Sequence, residues 1–108
     1  MATTPRPLKG PPVHPGEILR EEIIPALGKP KAEIARLLQI SRQQLYDILE
    51  ERLPVTPQMA LRIGKLVGNG PDLWMNLQAK YDLEKARAEL ADTLKEIPTL
   101  EAAAGANP

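Results

Sequence analysis

Apolar residues recur every three or four positions along most of the chain, the spacing that places side chains on one face of an α-helix. This spacing predicts helices over 15–24, 31–38, the stretch that follows Ser41, 57–67 and, if the last helix is continuous, about 71–97. Pro25 should end or kink the first helix near Ile24, because proline lacks the N–H that a helix interior needs. The pattern therefore predicts an all-α protein with short turns between its helices.

The best-defined part of the pattern is a pair of short helices within residues 31–52, joined by a tight turn. Ser41 is a good N-cap for the second helix, because its hydroxyl can accept from the free N–H groups of the first turn. The first helix has four apolar residues spaced to cover one face, Ile34, Ala35, Leu37 and Leu38. The second turns Leu45, Ile48 and Leu49 inward and leaves outside Arg42, Gln43, Gln44, Tyr46 and Asp47.

The outward residues of the second helix have the chemistry of a DNA-reading face. In a major groove, Arg pairs with the acceptors of guanine, and Gln pairs with the donor and acceptor of adenine. A helix-turn-helix presents the N-terminal residues of its second helix to the bases in this way. The alternative is an ordinary polar face on a small helical bundle, since long polar side chains behind a Ser cap are common on protein surfaces.

The last predicted helix carries two apolar patches on different faces. The first patch should close the domain core and consists of Leu73, Trp74, Leu77 and Tyr81. The second consists of Leu83, Ala86, Leu90, Leu94 and Ile97. A projecting apolar stripe usually contacts another chain, so we expect a dimer or partner interface at Leu83, Ala86, Leu90 and Leu94. The alternative is that the stripe folds back on the body of the domain.

Cap residues and chain ends complete the predicted organisation. The predicted N-caps are His14, Thr56 and Asn69, and Gly68 is the predicted C-cap of the fourth helix. A lone His at a helix start is interpreted as structural rather than catalytic. The chain divides into a flexible arm, 1–13, a helical domain, 14–97, and a disordered tail, 98–108. Arg6 and Lys9 of the arm could contact phosphate, although such an arm can equally be solvated.

Composition argues against an enzyme site. The 108 residues contain no Cys and one His, so they offer no thiol nucleophile and no Cys- or His-based metal site. Adjacent Glu pairs at 21–22 and 50–51 point in different directions on a helix and cannot easily share a substrate. The sequence has no glycine-rich phosphate loop and no nucleophile elbow. We therefore expect no enzymatic activity, no cofactor and no metal.

Charge is distributed unevenly along the chain, although the net charge is zero. Residues 1–68 contain ten Lys or Arg against seven Asp or Glu, and residues 69–108 contain four against seven. This asymmetry hints at two partners of different charge. No apolar run approaches the roughly 20 residues of a membrane span, and no signal-peptide segment is evident. A cytoplasmic protein without a membrane partner is expected.

Four motifs give the chain a family likeness. They are HPGEILREEIIPALG at 14–28, IARLLQISRQQLYDIL at 34–49, VTPQMALRIGKLVG at 55–68 and GPDLWMNLQAKYDL at 70–83. In this order and spacing they resemble the HigA/VapI family of antitoxins, within the Xre-like helix-turn-helix proteins. The likeness runs from residue 14 to residue 83.

The resemblance implies a phage-repressor-like fold of about five helices with a long C-terminal helix. It also implies the antitoxin of a type II toxin–antitoxin system. Such a protein is a homodimeric autorepressor that binds a palindromic operator in its own promoter and neutralises a cognate mRNA-ribonuclease toxin by direct binding. The DNA-binding residues that the resemblance indicates are Lys31, Arg42, Gln43, Gln44 and Tyr46. Ser41 and Arg52, at the two ends of the second helix, are predicted to bind DNA with them.

Two positions depart from the family's pattern. Gln39 fills a turn position often occupied by Gly, which costs on the order of 1 kcal/mol if φ is positive there. Glu50 and Glu51 follow the second helix in place of a neutral turn, and carboxylates near phosphate would oppose DNA binding. Two alternatives stay open: a solitary Xre-like transcription regulator without a toxin, and a protein-interaction module that has lost DNA binding.

Overall fold

Helices form every regular element in the part of the chain that this computed structural model describes, residues 12–101. The predicted arm, 1–13, and tail, 98–108, lie outside those residues except at 12–13 and 98–101, so both stay predictions. The elements are α1 (Pro15–Ile18), a π-helical turn (Leu19–Ile23), α2 (Ile24–Leu27), α3 (Lys31–Leu38), α4 (Arg42–Leu49), α5 (Pro57–Val67), α6 (Asp72–Glu89) and α7 (Ala91–Glu96). The prediction of an all-α fold is confirmed.

The first helical segment passes through Pro25 instead of ending at Ile24. The backbone widens into the π-helical turn, in which the N–H of Ile24 donates to the carbonyl of Leu19, five residues earlier. Pro25 then lies in the first turn of α2, where its missing N–H is tolerated. The predicted irregularity therefore takes the form of a π turn upstream of the proline, and the helix continues to Leu27.

The core lies between the first helical segment, the α3–α4 pair, α5 and the start of α6. Trp74 is fully buried at its centre. The other fully or almost fully buried apolar side chains are Leu19, Ile24, Ile34, Ala35, Leu38, Leu45, Ile48, Leu49, Val55, Met59, Ala60 and Ile63. The inward positions predicted for α4 are thus confirmed, and α5 buries Met59, Ala60 and Ile63 on one face.

Two leucines predicted to face the core are exposed instead. Leu37 is 41% exposed and Leu73 is 47% exposed. Each lies about a quarter-turn or more from the centre of its helix's buried stripe, which Ile34 and Leu38 define on α3 and Trp74 defines on α6. The apolar pattern was therefore wider than the buried stripe on both helices.

The last predicted helix is divided in two. α6 ends at Glu89, and Leu90 leaves helical geometry with φ −102° and ψ 12°. The hydrogen-bond ladder still crosses this point, because Leu90 N–H donates to Ala86 and Leu94 N–H donates to Leu90, both at 2.8 Å. The last helix is therefore not continuous over 71–97, and α7 extends α6 after a break at Leu90. None of the helices within 12–101 is long and apolar enough to span a bilayer.

Two polar side chains near α6 serve the core rather than the helix cap. The prediction that Asn69 caps α6 is wrong. Its Oδ1 instead accepts from the indole Nε1–H of Trp74 at 3.2 Å. Gln78 is buried, and its Oε1 accepts from Val55 N–H at 2.7 Å while its Nε2 donates to Asp82 at 2.9 Å. The Gln78–Val55 bond fixes the loop that follows α4 to α6, and the Asn69–Trp74 bond fixes the loop between α5 and α6.

Candidate nucleic-acid interface

The turn between α3 and α4 has the tight geometry that the sequence indicates. Gln39 adopts the left-handed conformation, with φ 60° and ψ 45°, and Ile40 N–H donates back to Ala35 at 3.0 Å. The Oγ of Ser41 then accepts from Gln44 N–H at 3.0 Å and caps α4. The predicted cap at Ser41 is confirmed, and φ is positive at Gln39, the condition under which a residue other than Gly carries a cost there.

α4 presents one continuous polar surface at its N-terminal end. Arg42, Gln43, Gln44 and Tyr46 are exposed, while Leu45, Ile48 and Leu49 anchor the opposite face in the core. Ser41 precedes this surface, and Lys31 at the start of α3 and Arg52 after α4 are also exposed. The structure thus leaves accessible all seven residues that were predicted to contact DNA, and their contact with DNA stays a prediction.

Arginines from outside the pair hold the C-terminal ends of both helices. Arg62 of α5 donates from Nη1 to the carbonyls of Leu38, at 2.7 Å, and Gln39, at 3.3 Å. Arg20 of the π-helical turn donates from Nη1 to the carbonyl of Leu49 at 2.6 Å. A cation at a helix C-terminus is favourable, because the last carbonyls carry partial negative charge and lack helical partners.

Arg20 also neutralises one of the two acidic residues that follow α4. Its Nη1 lies 3.3 Å from Oε2 of Glu51, and its Nε donates to Glu21 at 3.0 Å. The Glu21 carboxylate, and after it Glu51, hold the pKa of this guanidinium above its usual range. Glu51 itself has φ 65° and is turned back toward the first helical segment. The repulsion expected between Glu51 and phosphate is reduced by this pairing.

Asp47 gathers two of the exposed polar groups of the pair. Its Oδ1 accepts from Nε2 of Gln43 at 2.9 Å and from Nε of Arg52 at 3.1 Å. Arg52 therefore lies against the C-terminal half of α4, and Gln43 is tied to the residue one turn later. Asp47 was predicted to lie on the outer face of α4, but its sequence position indicates no role for it.

The first helical segment meets α4 at close range. A Cβ on Gly16 would lie 2.0 Å from the carbonyl oxygen of Ile48, so only glycine allows this approach. Next to it, the Nδ1 of His14 accepts from Gly16 N–H at 2.9 Å, and the ring packs edge-on against Tyr81 with centroids 4.9 Å apart. Burial lowers the pKa of His14, an effect that the charges of Glu51 and Asp82 and a hydrogen bond with the Leu53 backbone partly offset.

The second predicted surface, the apolar stripe, is uncovered in the single chain. Leu83, Leu90, Leu94 and Ile97 are each between 45% and 58% exposed, and Ala86 is half-buried. Its role as an interface stays a prediction. Within residues 12–101, no three His, Asp or Glu side chains are grouped closely enough to hold a metal ion.

Comparison with known proteins agrees with the geometry. No family model matches the chain. Virulence-associated protein I of Dichelobacter nodosus is 35% identical over 79 residues, which is 73% of each protein. The structure of Pseudomonas aeruginosa antitoxin HigA with the higBA promoter has a TM-score of 0.79 at 36% identity and covers 83% of this chain and 99% of that one. Antitoxin GraA in complex with its operator has a TM-score of 0.77 at 34% identity and covers 95% and 99%.

Proposed function

Because the chain belongs to the HigA/VapI family of helix-turn-helix antitoxins, we propose that it is the antitoxin of a type II toxin–antitoxin system that represses its own operon. Members of this family are DNA-binding regulators, so the chain is not an enzyme. In the proposed mechanism, a homodimer binds a palindromic operator in its own promoter. The same protein neutralises a cognate mRNA-ribonuclease toxin by direct binding.

The observation that carries the DNA-binding role is the polar surface at the N-terminal end of α4. Arg42, Gln43 and Gln44 stand clear of the core on a capped helix whose two ends are both fixed. Arg and Gln in this position can pair with guanine and adenine edges in a major groove. Relatives solved with a promoter and with an operator support extending the role to this chain.

The dimer is supported by the uncovered stripe on α6 and α7. In a two-fold dimer, the two α4 helices would enter successive turns of the major groove, about 34 Å apart. Leu83, Ala86, Leu90 and Leu94 are the proposed contact residues, between two copies or with the toxin. A second candidate contact between copies is on the domain body, where Leu61 and Leu73 are exposed.

Binding to DNA upstream of the chain's own gene tests the proposal. Wild-type protein and Arg42→Ala are titrated, by fluorescence anisotropy, against that DNA and against a shuffled duplex. We expect Arg42→Ala to lower operator affinity by about 1–3 kcal/mol and to relax preference at one guanine. Lys85→Ala is the control of equal charge, since Lys85 is exposed on α6 and lies about half a turn away from Leu83 and Leu90 of the stripe.

Salt dependence separates the DNA-binding hypothesis from that of a protein-interaction module. Operator affinity should fall steeply between 50 and 200 mM salt, because each phosphate contact releases counterions. Equal affinity of wild type and Arg42→Ala at every salt concentration would show that α4 is not the reading helix.

The toxin partner needs its own test. Tagged protein is recovered from its native cells, washed at high salt and analysed by mass spectrometry. We expect a small basic protein, encoded next to this gene, in nearly equal amount. Operator binding without such a partner would favour the second candidate function, a solitary Xre-like transcription regulator.

A further inference from the structure

The carboxylate of Asp47 controls one of the side chains that α4 presents to solvent. Its Oδ1 accepts from the amide Nε2 of Gln43 at 2.9 Å, one helical turn earlier. The same oxygen accepts from Nε of Arg52 at 3.1 Å and lies 3.0 Å from its Nη2. The Asp47 side chain is 24% exposed, less than half the 59% of Arg52. An exposed amide and a guanidinium thus converge on one sheltered carboxylate oxygen.

This contact fixes which way the Gln43 amide points. An ionised carboxylate only accepts hydrogen bonds, whereas an amide has a donor end, the NH₂ group, and an acceptor end, the carbonyl. The NH₂ end of Gln43 must face Asp47, because the flipped amide would set two acceptors against each other. Gln43 therefore keeps its Oε1 and its second N–H free for another partner.

An amide of fixed orientation selects among base edges. Adenine presents its N6–H₂ donor beside its N7 acceptor in the major groove, and Gln can bind both. A freely flipping amide also fits a donor and an acceptor in the opposite order, such as cytosine N4–H₂ beside the O6 of its paired guanine. Holding one orientation removes that second possibility.

We propose that Asp47 is a specificity-determining positioning residue, which holds the Gln43 amide in one orientation and so favours adenine at the base pair that Gln43 faces. The inference rests on the proposed function, since it requires α4 to enter a major groove. Asp47 acts through Gln43 and needs no base contact of its own.

The test measures base preference rather than affinity alone. Wild-type protein first selects its preferred duplex from a randomised library. Wild type, Gln43→Ala, Asp47→Ala and the double variant are then titrated against all four base pairs at each position of that duplex. Wild type should prefer one A·T pair by about tenfold or more over the other three pairs. Gln43→Ala identifies the position, because it abolishes the preference there.

Asp47→Ala should reduce the preference at that same position to about threefold or less. The double variant should show no further loss beyond Gln43→Ala, since Asp47 has no other route to that base pair. Asp47→Glu keeps a carboxylate one turn from Gln43 and should restore most of the preference.

Arg52→Ala is the matched control. It removes the other partner of Asp47 and leaves the Gln43–Asp47 hydrogen bond in place. Its affinity should change by a similar factor for every duplex, because a lost phosphate contact carries no sequence information. Its base preference should match that of wild type.

The outcomes separate this inference from the proposed function. Full preference retained in Asp47→Ala, or a preference lost equally in Arg52→Ala, overturns the role of Asp47 and leaves operator binding intact. Additive losses from Gln43→Ala and Asp47→Ala overturn it as well. A wild-type protein that selects no sequence from the library contradicts the proposed function, and the inference with it.

Discussion

His14 connects three parts of the domain through a neutral imidazole ring. Its Nδ1 accepts from Gly16 N–H at the start of α1, and its edge packs on Tyr81 of α6. Its ring also hydrogen-bonds to the backbone of Leu53, in the loop after α4, which raises the pKa and offsets part of the effect of burial. Protonation of Nδ1 would replace an acceptor with a donor that faces another N–H. The folded state therefore resists the charged form, in agreement with the lowered pKa.

This lowered pKa gives stability a defined pH dependence. The unfolded chain binds a proton on His14 near pH 6.5, before the folded chain does, so the free energy of unfolding falls as pH drops below about 6.5. One proton limits the slope to about 1.4 kcal/mol per pH unit. Above about pH 7 this residue contributes no pH dependence. Urea unfolding between pH 5 and pH 8 measures the slope.

His14→Asn is the control for that measurement. Asn is a good N-cap and does not titrate, and His14 is the one histidine in the chain. The carboxylates titrate in both proteins, so the difference between the two slopes isolates His14. Equal slopes between pH 5 and pH 6.5 would contradict the assignment of a neutral, depressed His14.

Single residues were predictable where a local rule decides the geometry. Ser41 was identified as a cap because its hydroxyl bonds within its own turn. Gln39 was noted only as a residue at a turn position often occupied by Gly, with a cost if φ is positive. The predictions that Leu37 faces the core and that Asn69 caps α6 were wrong for the same physical reason. Leucine is apolar wherever it lies, and Asn69 can cap a helix or accept from Trp74; neighbours far along the chain decide which.

At the scale of helices, Arg62 is the link between α5 and the helix pair. Removing it leaves the carbonyls of Leu38 and Gln39 to water and removes these two hydrogen bonds, while the apolar packing between the helices stays. We expect Arg62→Ala to lower the free energy of unfolding by about 1–2 kcal/mol, since a charged donor on a partly buried carbonyl contributes about that much. Urea unfolding at pH 7 provides the measurement.

Two variants make that result specific. Arg36→Ala removes an equal charge from the exposed side of α3, where Arg36 pairs with Glu33 at 3.6 Å and its side chain is 71% exposed. It should cost no more than about 0.5 kcal/mol. Arg62→Lys keeps a donor and should recover part of the loss. If Arg62→Ala and Arg36→Ala lose the same stability, Arg62 does not act as a cap.

Helix positions and the all-α class followed from apolar spacing, but the links between helices did not. Arg20 and Arg62 act across 29 and 24 residues of sequence, and no periodicity records such a distance. The π-helical turn also escaped prediction. Pro25 signals that the ladder must change, whereas the choice between stopping and widening depends on how Leu19 and Ile24 pack into the core.

For the whole molecule, the proposed dimer requires a surface that joins two copies of the chain. The single chain exposes leucines in two regions: the stripe on α6 and α7, and the domain body, where Leu61 is 60% and Leu73 is 47% exposed. A pair of α4 helices can read a palindrome only if one of these regions fixes their separation. The stripe is the longer of the two, and no part of residues 12–101 packs over it.

Two double variants decide between these surfaces. Leu90→Gln/Leu94→Gln and Leu61→Gln/Leu73→Gln each replace two exposed leucines with a residue of similar helix propensity, so neither should unfold the domain. If the stripe joins the copies, sedimentation at micromolar concentration should show a dimer for wild type and for the body variant, and a monomer for the stripe variant. The stripe variant should also lose affinity for the full palindrome while keeping its affinity for a half-site, because only the linkage between two reading helices has been removed. A monomeric body variant beside a dimeric stripe variant would assign dimerisation to the domain body and leave the stripe free for the toxin.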